Sequence, residues 1–145
     1  MKQIAWIGTG VMGGQQAGHL AKNGYPVKAY NRSQDKLEAL KEEFGLTPCE
    51  TIAQAVDGAD VVFVMVGYPK DVEEVFLGKG GIFENAKEGA LLIDMTTSSP
   101  SLAQRLYEEG KKKGLRVMDA PVSGGDSGDG KLVVLGTAAT GGEVL

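Results

Sequence analysis

Short apolar runs alternate along the chain with stretches whose apolar residues recur every three or four positions. Ile4–Ile7 is an unbroken apolar run of the kind covered on both faces in a parallel sheet. From Gly13 onward, Ala17, Leu20, Ala21 and Gly24 recur at helical spacing, with Gly24 placed to end the helix. Val27–Tyr30 is the next run. Ser33 is placed to cap a helix through Phe44, on which Leu37, Leu40 and Phe44 share a face and which Gly45 follows. A weaker strand signal covers residues 46–49. Thr51 then starts a short helix with Ile52, Ala55 and Val56 facing inward. Residues 61–66 are rich in β-branched side chains and read as a central strand. Pro69 begins a helix to about Leu77, and a shorter helical segment covers 81–86. Residues 91–95 form the next strand. Ser99 and Pro100 are an N-cap and first-turn pair for a helix to about Lys113, with Gly114 beyond it. A sixth strand is expected at 115–120, and 132–135 is a candidate seventh.

This strand–helix alternation predicts an α/β fold: a doubly wound, mostly parallel sheet of the Rossmann kind, in three layers. Right-handed crossovers restrict the topology. Ligands of such sheets bind at the carboxyl ends of the strands. The residues that directly follow the strands are therefore the candidates for function, at 8–13, 31–33, 67–69, 96–98 and 121–125.

Composition narrows the partners. The 145 residues suit one domain with a real core. Fifteen basic against 19 acidic residues give a formal net charge of −4. No basic stripe is visible, which argues against nucleic acid. The one basic run, Lys111 to Lys113, falls at a helix end, where cations suit the dipole. A single cysteine, Cys49, rules out a disulfide framework, has no metal-ligating neighbours and reads as structural. No apolar run is long enough to span a bilayer and no leader pattern opens the chain, so a cytoplasmic location and no membrane or metal are expected.

The segment after the first strand carries the strongest chemistry. Gly8-Thr9-Gly10-Val11-Met12-Gly13 fits G-x-G-x-x-G between a strand and a helix. Gly8 permits the tight turn, Gly10 lets a pyrophosphate approach the backbone, and Gly13 lets helix and strand pack closely. The helix start offers N–H groups and the positive dipole end. At the end of the second strand, an acidic residue would bind a ribose 2′-hydroxyl and favour NAD. The chain has Asn31-Arg32-Ser33 there instead. Asn31 does not repel a 2′-phosphate, Arg32 can pair with one and stack on adenine, and Ser33 can add a hydroxyl. NADP is therefore expected over NAD, with Lys36 a weaker phosphate candidate.

"IGTGVMG", "YNRS", "DMTTSSP" at 94–100 and "DAPVSGG" at 119–125 together resemble the β-hydroxyacid dehydrogenase family, which includes 3-hydroxyisobutyrate dehydrogenases and is related to 6-phosphogluconate dehydrogenase. The resemblance covers residues 1–125 as an NADP-binding domain, with 126–145 an atypical tail. It implies that Val66, Gly67 and Tyr68 border the adenosine and that Thr97 approaches the nicotinamide ribose. It implies that Ser123, Gly124 and Gly125 bind the carboxylate of a small substrate. The implied reaction interconverts a β-hydroxy acid and its semialdehyde or keto form. The implied base is a lysine on a helix beyond this chain. No catalytic residue is assigned here, since His19 lies mid-helix away from the strand ends and Lys131 does not match by position. The chain alone is expected to bind cofactor, to turn over poorly or not at all, and to self-associate as a homo-oligomer. The other readings are a non-catalytic NADP-sensing module and the cofactor domain of an imine reductase, the latter disfavoured by "DAPVSGG".

Overall fold

Helices join the successive apolar runs of the sheet and return the chain to the same end each time, which leaves parallel pairing as the short solution. The computed structural model describes residues 2–8, 11–66, 68–96, 100–119, 122–123 and 133–134. Six strands make one parallel sheet: β1 (Ile4–Ile7), β2 (Val27–Tyr30), β3 (Thr47–Cys49), β4 (Val61–Val64), β5 (Leu91–Asp94) and β6 (Arg116–Asp119). Their order is β3-β2-β1-β4-β5-β6, the doubly wound order. The helices are α1 (Val11–Lys22), α2 (Gln34–Phe44), α3 (Ile52–Val56), α4 (Pro69–Leu77), α5 (Ile82–Asn85) and α6 (Pro100–Lys112).

Alternation along the strands splits the core into two layers. Ala5, Ile7, Val62, Val64 and Leu92 face one way and pack with Ala55, Val56, Val72, Phe76, Ile82 and Leu106 of α3 to α6. Ile4, Trp6, Val61, Leu91 and Ile93 face the other way and pack with Ala17 of α1 and Leu37 of α2. Burying a side chain such as Leu37, which is fully enclosed, stabilises the fold by about 1.5–3 kcal/mol. Both faces of β1, β4 and β5 are covered, which is why these strands read as continuous apolar runs.

Local details follow the same logic. Pro48 is tolerated in β3 because β3 is an edge strand, where a missing N–H costs no ladder bond. Thr51 Oγ1 accepts from the Gln54 N–H at 3.1 Å and caps α3. Gly45, at φ +81°, ends α2, its N–H donating to the Lys41 carbonyl at 2.9 Å. Helix α1 meets α2 at Gly18, where a Cβ would sink into the Phe44 ring. Two short strands, β7 (Val122–Ser123) and β8 (Val133–Val134), pair antiparallel with each other, apart from the six-stranded sheet. The candidate seventh strand thus finds its partner at 122–123.

Candidate functional site

The strand order brings Gly8, the 31–33 segment and the 65–66 segment to one end of the sheet, at the switch point between β1 and β4. The Gly8 N–H donates to the Tyr30 carbonyl and the Met65 N–H to the Ile7 carbonyl, both at 2.9 Å. Gly8 has φ +95°, and a Cβ there would run into the Met65 carbonyl oxygen. Backbone conformation and close approach therefore both demand glycine. The buried Trp6 fixes this turn from below: its Nε1 donates to the Gly8 carbonyl at 2.9 Å, and its indole stacks on Phe63 with centroids 4.9 Å apart. Helix α1 starts at Val11, so Val11, Met12 and Gly13 form its first turn, where backbone N–H groups lack intrahelical partners. Thr9 and Gly10 lie outside the described residues.

At the end of β2, amide side chains set the loop. Asn31 Nδ2 donates to the Ser33 carbonyl at 3.2 Å, and Gln34 Nε2 donates to the Asn31 carbonyl at 3.0 Å. Ser33 occupies the N-cap position of α2 with extended backbone, but its side chain makes no cap bond. This corrects the capping expectation: the amide contacts hold the turn, and the hydroxyl is not used there. Arg32 Nη2 donates to Asp71 Oδ1 at 3.3 Å and lies 3.6 Å from Glu74 Oε2. Lys36 is exposed on α2. A cleft of about 350 Å³ opens beside Arg32, walled by Tyr30, Thr51, Ile52, Glu74 and Lys79 among others.

The ends of β4 and β5 are tied together through buried polar groups. The Val66 N–H donates to Thr96 Oγ1, and the Thr96 N–H donates to Asp94 Oδ1, each at 2.9 Å. Val66 is half-buried and Tyr68 is 73% exposed beside it. Gly67 and Thr97 lie outside the described residues, as do Gly124, Gly125 and Lys131, while Ser123 is in β7. His19 is exposed on α1, its ring 6.3 Å from that of Phe44. Cys49 is buried, and burial pushes its thiol pKa up, away from a reactive thiolate. At the opposite end of the sheet, Asp60 accepts from the Gln3 N–H at 2.7 Å and from Lys87 Nζ at 2.6 Å. Those bonds, that from Lys87 foremost, hold its carboxyl below the usual range. Among the described residues, no group of His, Cys, Asp or Glu side chains could hold a metal, and no helix is long and apolar enough to cross a membrane.

The sequence reading missed the Trp6 bond, the two carboxylates on Arg32, the internal role of Thr96 and the packing role of Gly18. The Trp6 bond is local, reaching Gly8 two residues on, whereas nothing near Gly18 marks Phe44 as its partner. Asp71 lies 39 residues from Arg32 and Thr96 lies 30 from Val66.

The chain matches the model of the NAD binding domain of 6-phosphogluconate dehydrogenase over residues 3–141. It is 50% identical to an uncharacterised oxidoreductase of Bacillus subtilis, YkwC, over 92% of this chain and 47% of that protein. It is 44% identical to a probable mitochondrial 3-hydroxyisobutyrate dehydrogenase-like protein of Arabidopsis thaliana, over 91% and 40% of the two chains. An NAD-dependent L-serine dehydrogenase of Pseudomonas aeruginosa is 35% identical, over 88% and 43%. Among solved structures, Mycobacterium tuberculosis 3-hydroxyisobutyrate dehydrogenase with L-serine superposes with a TM-score of 0.82 at 27% identity, over 91% and 45%. Psf3 in complex with NADP+ and 2-OPP gives 0.80 at 27%, over 86% and 44%. The chain thus spans about half the length of the relatives it matches or less. The parallel sheet, the glycine turn at its switch point and the match over residues 3–141 agree, and the chain belongs to the family of the NAD binding domain of 6-phosphogluconate dehydrogenase.

Proposed function

We propose that this domain binds NADP(H) in preference to NAD(H), for an oxidoreductase that interconverts a small β-hydroxy acid and its semialdehyde or keto form. The observation that carries the cofactor reading is the end of β2. A guanidinium, an amide and a hydroxyl not used for capping stand where an NAD site would have a carboxylate. Gly8 supports a dinucleotide reading as the residue that permits the tight turn from β1 into α1, since any side chain there would run into the Met65 carbonyl. The first turn of α1 then offers its N–H groups to the pyrophosphate. Val66, Gly67 and Tyr68 would border the adenosine, and Thr97 the nicotinamide ribose. Ser123, Gly124 and Gly125 would hold the substrate carboxylate.

When bound, the nicotinamide supplies or accepts a hydride. This chain's own residues bind and orient it. The Trp6 bond to Gly8 and the Thr96 bond to Val66 keep two walls of the crevice in place. The substrate class is supported by the relatives named for 3-hydroxyisobutyrate and L-serine.

The test is equilibrium titration with NADPH and NADH, followed by fluorescence of Trp6, the one tryptophan. The expected result is tighter NADPH binding and a selective loss of about tenfold or more for NADPH in Arg32→Ala, as for a hydrogen bond to a charged group. Equal affinities, or a preference for NADH, overturn it.

A further inference from the structure

Arg32 does not face the crevice with a free charge. Its Nη2 lies 3.3 Å from Asp71 and 3.6 Å from Glu74, so two carboxylates share one guanidinium nitrogen. They stand three residues apart on α4, on one helix face. Asp71 is the firmer partner, its side chain 17% exposed against 67% for Glu74 and 70% for Arg32. Arg32 and Glu74 both line the cleft beside the end of β2. Glu50 and Lys79, one acidic and one basic, also line it.

We infer that Asp71 and Glu74 are specificity-determining residues that weaken the preference for a 2′-phosphorylated dinucleotide by opposing Arg32. The inference rests on the reading of Arg32 as the residue that meets the 2′-phosphate. One cation held by two carboxylates presents a net negative charge to whatever approaches it. A phosphate monoester brings roughly two further negative charges. It must either draw Arg32 away from α4 or settle beside both carboxylates. A 2′-hydroxyl carries no charge and meets no such opposition. The acidic pair therefore penalises NADPH and leaves NADH nearly unaffected. A guanidinium has five donors in a planar fork, so Arg32 can serve the pair and a ligand together, which is how a moderated preference arises.

The experiment measures dissociation constants for NADPH and NADH with the 145-residue chain, Asp71→Asn, Glu74→Gln, the double variant and the charge-conserving Asp71→Glu. Neutralising both carboxylates should raise the NADPH-over-NADH preference about two- to tenfold, the scale of exposed ion pairs. The gain should come from tighter NADPH and should shrink at high salt. Asp71→Glu should keep the wild-type preference. An unchanged or reduced preference in the double variant overturns the inference, and so does a parallel weakening of both nucleotides, which marks a merely structural pair. The NADP reading fails separately, if the wild-type chain does not favour NADPH or if Arg32→Ala leaves the preference unchanged. Absence of binding by either nucleotide to any form overturns both.

Discussion

Trp6 donates its indole N–H to the carbonyl oxygen of Gly8 at 2.9 Å, two residues along the chain and inside the core. The strand that enters the glycine turn thus also holds it. Replacing Trp6 with phenylalanine keeps an aromatic ring against Phe63 but leaves a buried carbonyl without this donor and a small void. The expected cost is about 2–4 kcal/mol, measured by urea unfolding. Stability within about 0.5 kcal/mol of wild type, the range of surface substitutions, would show that the bond does not hold the turn.

Gly8→Ala meets two obstacles at once. The φ of +95° disfavours any L side chain, and the new methyl meets the Met65 carbonyl. A loss of about 2–4 kcal/mol is expected, together with loss of dinucleotide binding in any fraction that still folds. A variant of normal stability and normal affinity would mean that the turn can relax.

At Gly18 two effects oppose each other. Alanine favours a helix interior by up to about 1 kcal/mol over glycine. Against that, its Cβ would sink into the Phe44 ring, and overpacking of this kind costs about 1–3 kcal/mol. Packing should win, so Gly18→Ala should be destabilising. Adding Phe44→Leu should recover part of the loss, which a double-mutant cycle reads directly. Additive effects would disprove the contact.

Asp60 gives a pH signature. Its carboxyl titrates below the usual range in the folded chain, so its contribution to stability is present above the unfolded-state pKa and is lost as pH falls through the folded-state value. Asp60→Asn should therefore lower stability at pH 7, with the difference closing in acid. Denaturation curves from pH 7 down to pH 3 test this. A difference independent of pH contradicts it.

Much of the fold was legible because its signals are local. The runs at Ile4–Ile7 and Val27–Tyr30 appear as strands with the expected bounds, since four apolar or half-apolar residues between turn signals have little else to form. Pro69 and Pro100 begin helices, as a fixed φ and a missing N–H dictate. Gly45 ends α2 because glycine accepts the left-handed cap. The cap at Ser33 was legible as a position and not as a bond. The bonds in that turn come from the amides of Asn31 and Gln34, which reach the Ser33 and Asn31 carbonyls once the loop is folded. The pairing of 133–134 with 122–123 was likewise hidden, because an isolated apolar dipeptide does not name its partner.

By itself, then, the sequence determined the α/β rhythm, the glycine turn and the absence of a carboxylate directly after β2, for these are properties of neighbours along the chain. Only the tertiary structure decided that Arg32 meets Asp71 and Glu74, that Thr96 holds Val66, and that Gly18 yields to Phe44. The reason is geometric. Strand order places β4 beside β1 and turns α4 toward the end of β2, and that order is fixed by burial of both sheet faces and by crossover handedness rather than by any residue near Arg32.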